Sequence, residues 1–348
     1  PTYLIIMSLL NGFLGGTLIG GAAAITLLGA GEIMGFSGII NSALQCPFTT
    51  ARERPWKMAF LSSFMLAAYA FLIPNADMAK ISSVASVTSP MAYGLSGLLV
   101  GLGTKLGNGC TSGHGICGMA RLSKRSIAAV LTFMGAAVVS TMTVAKSAVL
   151  QSGAVEAYVP SWVMASVVAV LVAFTAYGST TASQKVASDR DKKDVETQAQ
   201  LDKRIPAALA GVVSAAGLTL GTMVYPAAVR GFLDLSGIAN GTWDPTLMFV
   251  MMGGLLTSFA SYQFVPNNSV ISSCPKLSKP LAGGDKFVVP TNKSIDAKLL
   301  LGAALFGTGW GISGLCPGPA LLLTMTGLNG MVMQFWPAYY VGMRLAQM

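Results

Sequence analysis

The sequence predicts an all-α, polytopic membrane protein with about nine transmembrane helices, short re-entrant helices and an inverted repeat. Composition is the first reason. Of 348 residues, 53% are hydrophobic and only 10% are charged, with a mean hydropathy of +0.63. Soluble domains carry roughly 25% charged residues, so this chain cannot clothe itself in a polar surface. The second reason is that the apolar residues fall into separate runs of bilayer-spanning order. The third is that two of those runs end in glycine- and cysteine-rich breaks of similar design.

In chain order, the apolar stretches lie at 3–29, 57–74, 91–106, 126–149, 161–179, 206–226, 246–265, 298–313 and 330–347. A helix needs about 20 residues to cross a bilayer. The short stretches 91–106 and 298–313 are each followed by a Gly/Cys/Pro cluster and a second short apolar piece. That pattern fits a span broken at mid-depth. Residues 180–205 are strongly polar with mixed charge and read as a solvated linker. Residues 266–297, rich in Pro, Ser, Asn and Lys, read as a second polar loop. The domains follow: 1–150 is a first repeat, 151–205 a connecting helix and cytoplasmic linker, and 206–348 a second repeat.

Lys and Arg set the orientation, because cytoplasmic loops are enriched in both. With the linker inside, 18 of the 22 basic residues share its side: three in 46–57, three in 121–125, six in 180–205, five in 266–298, and Arg344. Lys80, Lys146 and Arg230 fall outside, and Lys105 lies within the membrane. The expected location is the plasma (cell inner) membrane, with the N-terminus outside and the C-terminus cytoplasmic.

Several function classes are excluded. The net charge of +9 sits in connectors, not on an amphipathic face interleaved with aromatics, so nucleic acid is not a partner. Five cysteines, an odd number, make no disulfide framework. No Ser/His/Asp arrangement is expected around the single histidine. "GLGTKLG" imitates a nucleotide loop but lacks a βαβ context. Cys110, His114 and Cys117 have metal-like identities, but zinc needs four ligands in a recognised spacing, and no metal or other cofactor is expected.

The two breaks say one thing twice. "GLGTKLGNGCTSG" (101–113) and "GTGWGISGLCPGP" (307–319) align Gly103, Gly107 and Cys110 with Gly309, Ser313 and Cys316. A weaker pair precedes each: "GEIMGFSGI" (31–39) and "RGFLDLSGI" (230–238). Five spans separate the starts of the two halves. Five is odd, so the second half enters from the opposite face, as in many transporters.

Non-helical backbone at membrane depth survives only where protein or a water-filled cavity satisfies it. Where a short helix restarts, its free N–H groups carry roughly half a positive charge and favour an anion. Gly107, Asn108 and Gly109 shape the first break, and Thr111, Ser112 and His114 add hydrogen-bond donors around Cys110. Gly314, Pro317 and Gly318 shape the second break around Cys316. A thiol costs little to desolvate and binds weakly, so thiols along a path admit and release a solute that a lysine would hold. Lys105 has two open readings, attracting an anion or anchoring the break through backbone carbonyls. His114 is a donor or proton carrier, or a structural brace. Glu32 reads as a helix-end or packing residue. Cys46, Cys117 and Cys274 read as small core residues.

"GLGTKLGNGCTSGHGICGMARLSKRS" (101–126) and "GTGWGISGLCPGPAL" (307–321) closely resemble the YeeE/YedE family of sulfur-compound transporters. "GFLDLSG" followed by "WDPTLMFVMMGG" resembles that family's second-half signature. The resemblance implies nine main helices with partly inserted short ones and a cavity pinched at its centre from both sides. It also implies thiosulfate uptake, with cysteines passing the anion by S–H hydrogen bonds. Those cysteines fall on Cys110 and Cys316. One departure stands out: the third cysteine of thiosulfate-carrying members aligns near Gly35. Cys46 lies about eleven residues further on and is a poor substitute.

The expectation is therefore a non-enzymatic transporter of thiosulfate or a related sulfur-containing anion. Its partners are that small inorganic anion, the lipid bilayer, and a cytoplasmic sulfur carrier or sulfurtransferase. An intramembrane sulfurtransferase or thiol redox protein is the alternative of another class. Another small anion, or a selenium compound, is the alternative within transport.

Overall fold

The computed structural model describes residues 2–45, 47, 50, 54–75, 89–146, 161–188, 201–266, 268, 270–282, 286–328 and 330–348. These residues form helices and no strand. Helix α1 (Thr2–Ala24) continues into a wide turn at Ile25–Gly29. Then come the short α2 (Phe36–Gln45), α3 (Pro55–Asn75) and α4 (Pro90–Leu106). After the first break, α5 (Thr111–Gly118) is a short wide-turned helix, followed by α6 (Lys124–Met142) and α7 (Ser161–Ser188). The second series is α8 (Arg204–Leu220), α9 (Pro226–Leu233), α10 (Ser236–Asn240), α11 (Thr246–Tyr262) and α12 (Ala297–Ser313). After the second break come α13 (Pro317–Thr324) and α14 (Trp336–Leu345), the last continuing a wide turn at Gly330–Phe335.

Each of the nine apolar stretches carries a helix. Among the described residues, Ile6–Gly29, Lys124–Met142 and Ala297–Thr324 are long and apolar enough to cross a membrane, and Arg204–Leu220 and Thr246–Tyr262 are shorter apolar helices. The outer faces agree. Met248, Met252 and Leu256, one turn apart on α11, are all exposed, as are Leu131 and Val139 on α6. Such stripes suit lipid, which is as apolar as the side chains themselves.

The order of long and short helices recurs from α1–α6 to α8–α14, and the packing recurs with it. α1 packs on α11 as α8 packs on α3; α4 packs on α14 as α12 packs on α6. α1 meets α8, and α4 meets α12, across the centre. At the α4–α12 crossing the two backbones touch. A Cβ on Gly103 would stand 2.3 Å from the Phe306 nitrogen, and one on Gly302 would stand 2.2 Å from the Gly107 nitrogen. Small residues let helices approach this closely where burial against lipid supplies no hydrophobic drive.

The described parts of the polar segments are tied into the fold. α7 runs through Ser188, inside the predicted linker. At the linker's other end, Lys203 is buried and pairs with Glu32 at 2.8 Å. The loop after α11 is stitched to the end of α1: Leu281 and Ala282 donate N–H bonds to the carbonyls of Leu28 and Gly29, and Val288 donates to Gly31.

Candidate functional site

Both breaks are built alike. α4 ends at Leu106, and Asn108 then takes a left-handed φ of +56°. α12 ends at Ser313, and Gly314 takes φ +74°. Only glycine, and less readily asparagine, adopts that conformation cheaply. Gly314 has a second constraint, since a Cβ there would lie 2.5 Å from the Pro226 carbonyl oxygen. The chain then becomes extended at a cysteine. Cys110 (φ −133°, ψ −166°) is the N-cap of α5, and Cys316 (φ −104°, ψ 168°) is the N-cap of α13. The Cys110 carbonyl accepts the His114 N–H, and the Cys316 carbonyl accepts the Ala320 N–H, each at 2.9 Å. Neither thiol caps its own helix. Both are left facing the gap between the halves.

That gap is a cavity of about 50 Å³, a few times the space that one water requires. Cys110, Thr111, Ser112 and Ile116 come from the first break, and Trp310, Cys316, Gly318 and Pro319 from the second. Phe36, Ile19, Leu218, Met223, Val229, Leu247, Val250 and Met251 complete the wall. The lining side chains that carry polar groups are thus two thiols, two hydroxyls and the indole of Trp310. Thr111 donates its hydroxyl to the Cys316 sulfur at 3.3 Å. The Ser112 oxygen accepts the Phe36 N–H at 3.1 Å and meets the Cys110 sulfur at 3.3 Å. Two short helices present their N-terminal ends here, a partial positive charge in an apolar surround. Pro317 and Pro319 bring no N–H, so Gly318 supplies the donor among the first three residues of α13.

The predicted site residues divide between two places. Cys110, Thr111, Ser112, Cys316 and Gly318 line the central cavity, while Gly314 and Pro317 lie in the second break and line neither cavity. Asn108, Gly109 and His114 instead line a neighbouring cavity of about 150 Å³, together with Gly35, Arg121 and Arg125. Lys105 lies on the last turn of α4, where its charge complements the helix dipole, and lines neither cavity.

His114 is occupied within the protein. One ring nitrogen, Nε2, lies 3.1 Å from the Gly107 carbonyl, which can only accept, so Nε2 carries the proton. Nδ1 lies 3.1 Å from the Ser126 hydroxyl. The ring also packs on Gly109, where a Cβ would stand 2.6 Å from it. Cys117 donates to the Met34 carbonyl at 3.6 Å, so Cys110, His114 and Cys117 each have a different partner. Cys274 sits in the loop after α11, and Cys46 lies outside the described residues.

Sequence reasoning missed Phe36 and Trp310 as cavity walls. Both carried a usable signal, because each lies inside one of the paired motifs. Ile19, Leu218 and Met223 carried none. They read like any other apolar residue of a span.

Comparison with known proteins places the chain. A protein of Xylella fastidiosa (strain Temecula1) named "Probable transporter" is 38% identical over 134 residues, which are 38% of this chain and 81% of the relative. The chain belongs to that transporter family. A probable transporter of strain 9a5c is likewise 38% identical over 134 residues, 38% of this chain and 82% of the relative. A second probable transporter of strain Temecula1 is 39% identical over 121 residues, 35% of this chain and 84% of the relative. These relatives are therefore about half as long as this family member. Residues 202–348 also match a model described as a family of unknown function, DUF6691. No solved structure matches the chain.

Proposed function

We propose that this transporter-family chain carries thiosulfate, or a related sulfur-containing anion, across the plasma membrane through the cavity between Cys110 and Cys316. One observation carries the reading: two thiols hold the same N-cap position on two short helices and line one small cavity. The paired helix N-termini offset the anion's charge, and the hydroxyls of Thr111 and Ser112 supply donors. The thiols touch a soft sulfur without gripping it, so that the solute leaves as readily as it arrives. In this reading nine helices span the bilayer, and α5 and α13 are re-entrant. The two halves are inverted repeats, and the N-terminus lies outside with the C-terminus inside. The exchanged packing of the halves, and relatives about half as long as the chain, support the repeat. A cytoplasmic sulfur carrier or sulfurtransferase is the expected recipient.

The test is uptake of ³⁵S-labelled thiosulfate by proteoliposomes of the purified protein, with unlabelled thiosulfate, sulfite, sulfate and sulfide as competitors. Uptake that thiosulfate competes best, and that Cys110→Ala or Cys316→Ala abolishes in protein of unchanged melting temperature, supports the reading. Unchanged uptake in both variants would remove the thiols from the path. Absence of uptake, with sulfur transfer to an added thiol or cyanide acceptor, would make the protein a sulfurtransferase instead.

A further inference from the structure

α5 is a wall with a cavity on each side. Thr111, Ser112 and Ile116 line the thiol cavity, while Gly113 and His114 line the cavity of about 150 Å³ behind it. That second lining contains two guanidinium groups, Arg121 and Arg125, two amides, Asn108 and Asn292, and no carboxylate. Arg125 is already committed: it donates to the Ser294 carbonyl and pairs with Asp296, which lies outside the lining. Arg121 is not. One terminal N–H of Arg121 reaches the Pro290 carbonyl at 2.6 Å, but Nε is buried with no hydrogen-bond partner among the described residues. A buried donor left without an acceptor is costly, and native proteins rarely keep one. A guanidinium presents two parallel N–H groups whose spacing matches two oxygens of an oxyanion. The second cavity shares Arg121, Pro290 and Asn292 with a broad cleft of about 910 Å³ that also holds Lys124 and Lys293.

We propose that this second cavity is an anion site in its own right. It takes a small tetrahedral oxyanion against the Arg121 guanidinium, between the thiol cavity and the basic cleft. Its place on a transport path rests on the function proposed above; its capacity to bind does not. Recognition here is by oxygen, so sulfate binds as thiosulfate does. Discrimination for sulfur is left to the thiols.

Gly38 gives a way to read the site. It lines this cavity, it is exposed, and a Cβ there meets nothing within 4 Å. In detergent-purified Gly38→Cys protein, with the unsubstituted protein as background, modification rates are measured for an anionic (sulfonatoethyl) and a cationic (trimethylammonioethyl) methanethiosulfonate. The expected result is faster modification by the anionic reagent, slowed by either sulfate or thiosulfate. Adding Arg121→Gln should cut the anionic-to-cationic ratio about tenfold, the scale of a local focusing field, and abolish protection. Arg121→Lys should keep the ratio and weaken protection. Equal rates for the two reagents, with protection by neither anion, would overturn the site, and this measurement needs no Arg121 variant to fold. Thiosulfate uptake by the unsubstituted protein without protection at Gly38→Cys would sink this site and leave the transport reading standing. Protection without uptake would do the reverse.

Discussion

The Thr111 hydroxyl donates to the Cys316 sulfur at 3.3 Å across 205 residues of sequence. Thr111 follows one N-cap cysteine, yet its bond goes to the other. The first half thereby orients the thiol that the second half presents, while the Cys110 sulfur meets Ser112 of its own half. Thr111→Val removes this donor at nearly constant volume. A hydrogen bond of about 0.5–1.5 kcal/mol corresponds to a two- to tenfold change. Thiosulfate uptake should fall by about that factor in Thr111→Val and be largely retained in Thr111→Ser. Equal losses in both would assign Thr111 to packing alone.

Gly35 stands where a third cysteine is expected from the family resemblance, and a Cβ there meets nothing within 4 Å. Gly35→Cys should therefore leave the melting temperature unchanged. It should also raise uptake of thiosulfate relative to that of sulfate, by setting a thiol in the cavity behind α5. A ratio that does not move would show that the missing thiol does not limit substrate choice.

Lys203 and Glu32 pair at 2.8 Å, with side chains only 5% and 16% exposed. Removing one partner of a buried pair strands the other, at a cost of about 3–5 kcal/mol. Glu32→Gln should lower thermal stability sharply. Combining it with Lys203→Met should restore most of the loss, because neither charge then remains buried. A double variant as unstable as the single one would locate the defect in packing.

Asp296 caps α12, accepting the Leu299 N–H at 2.8 Å. That bond, with the Arg125 guanidinium at 3.5 Å, holds its carboxyl below the ordinary carboxylate value, although desolvation works against it. A lowered folded-state value means stabilisation that is fully present above the unfolded-state value and lost as pH falls through the folded one. The melting-temperature advantage of the native protein over Asp296→Ala should be steady near pH 7 and shrink below about pH 4. Asp296→Asn, which can still cap, should lose less at pH 7. A gap independent of pH would remove charge from the account.

The helices were legible because a bilayer forces every backbone group to bond within its own segment, which makes spans continuous and apolar. The breaks were legible because Gly, Asn and Pro in such a place have few other uses. The second cavity was not. Arg121 and Arg125 read only as part of a positively charged cytoplasmic loop, and no spacing along the chain links them to Gly35 or Asn292. The attachment of Leu281, Ala282 and Val288 to the end of α1 was also hidden, because backbone groups make it and residue type does not announce it.

By itself the sequence determined the membrane class, the succession of helices and the doubled cysteine motif, since each rests on local composition and backbone hydrogen bonding. Only the tertiary structure decided which thiol meets which hydroxyl, that both ring nitrogens of His114 are spent on Gly107 and Ser126, and that one helix separates two cavities of different chemistry. Those outcomes depend on contacts between distant segments, and packing geometry sets them where residue type leaves several partners open.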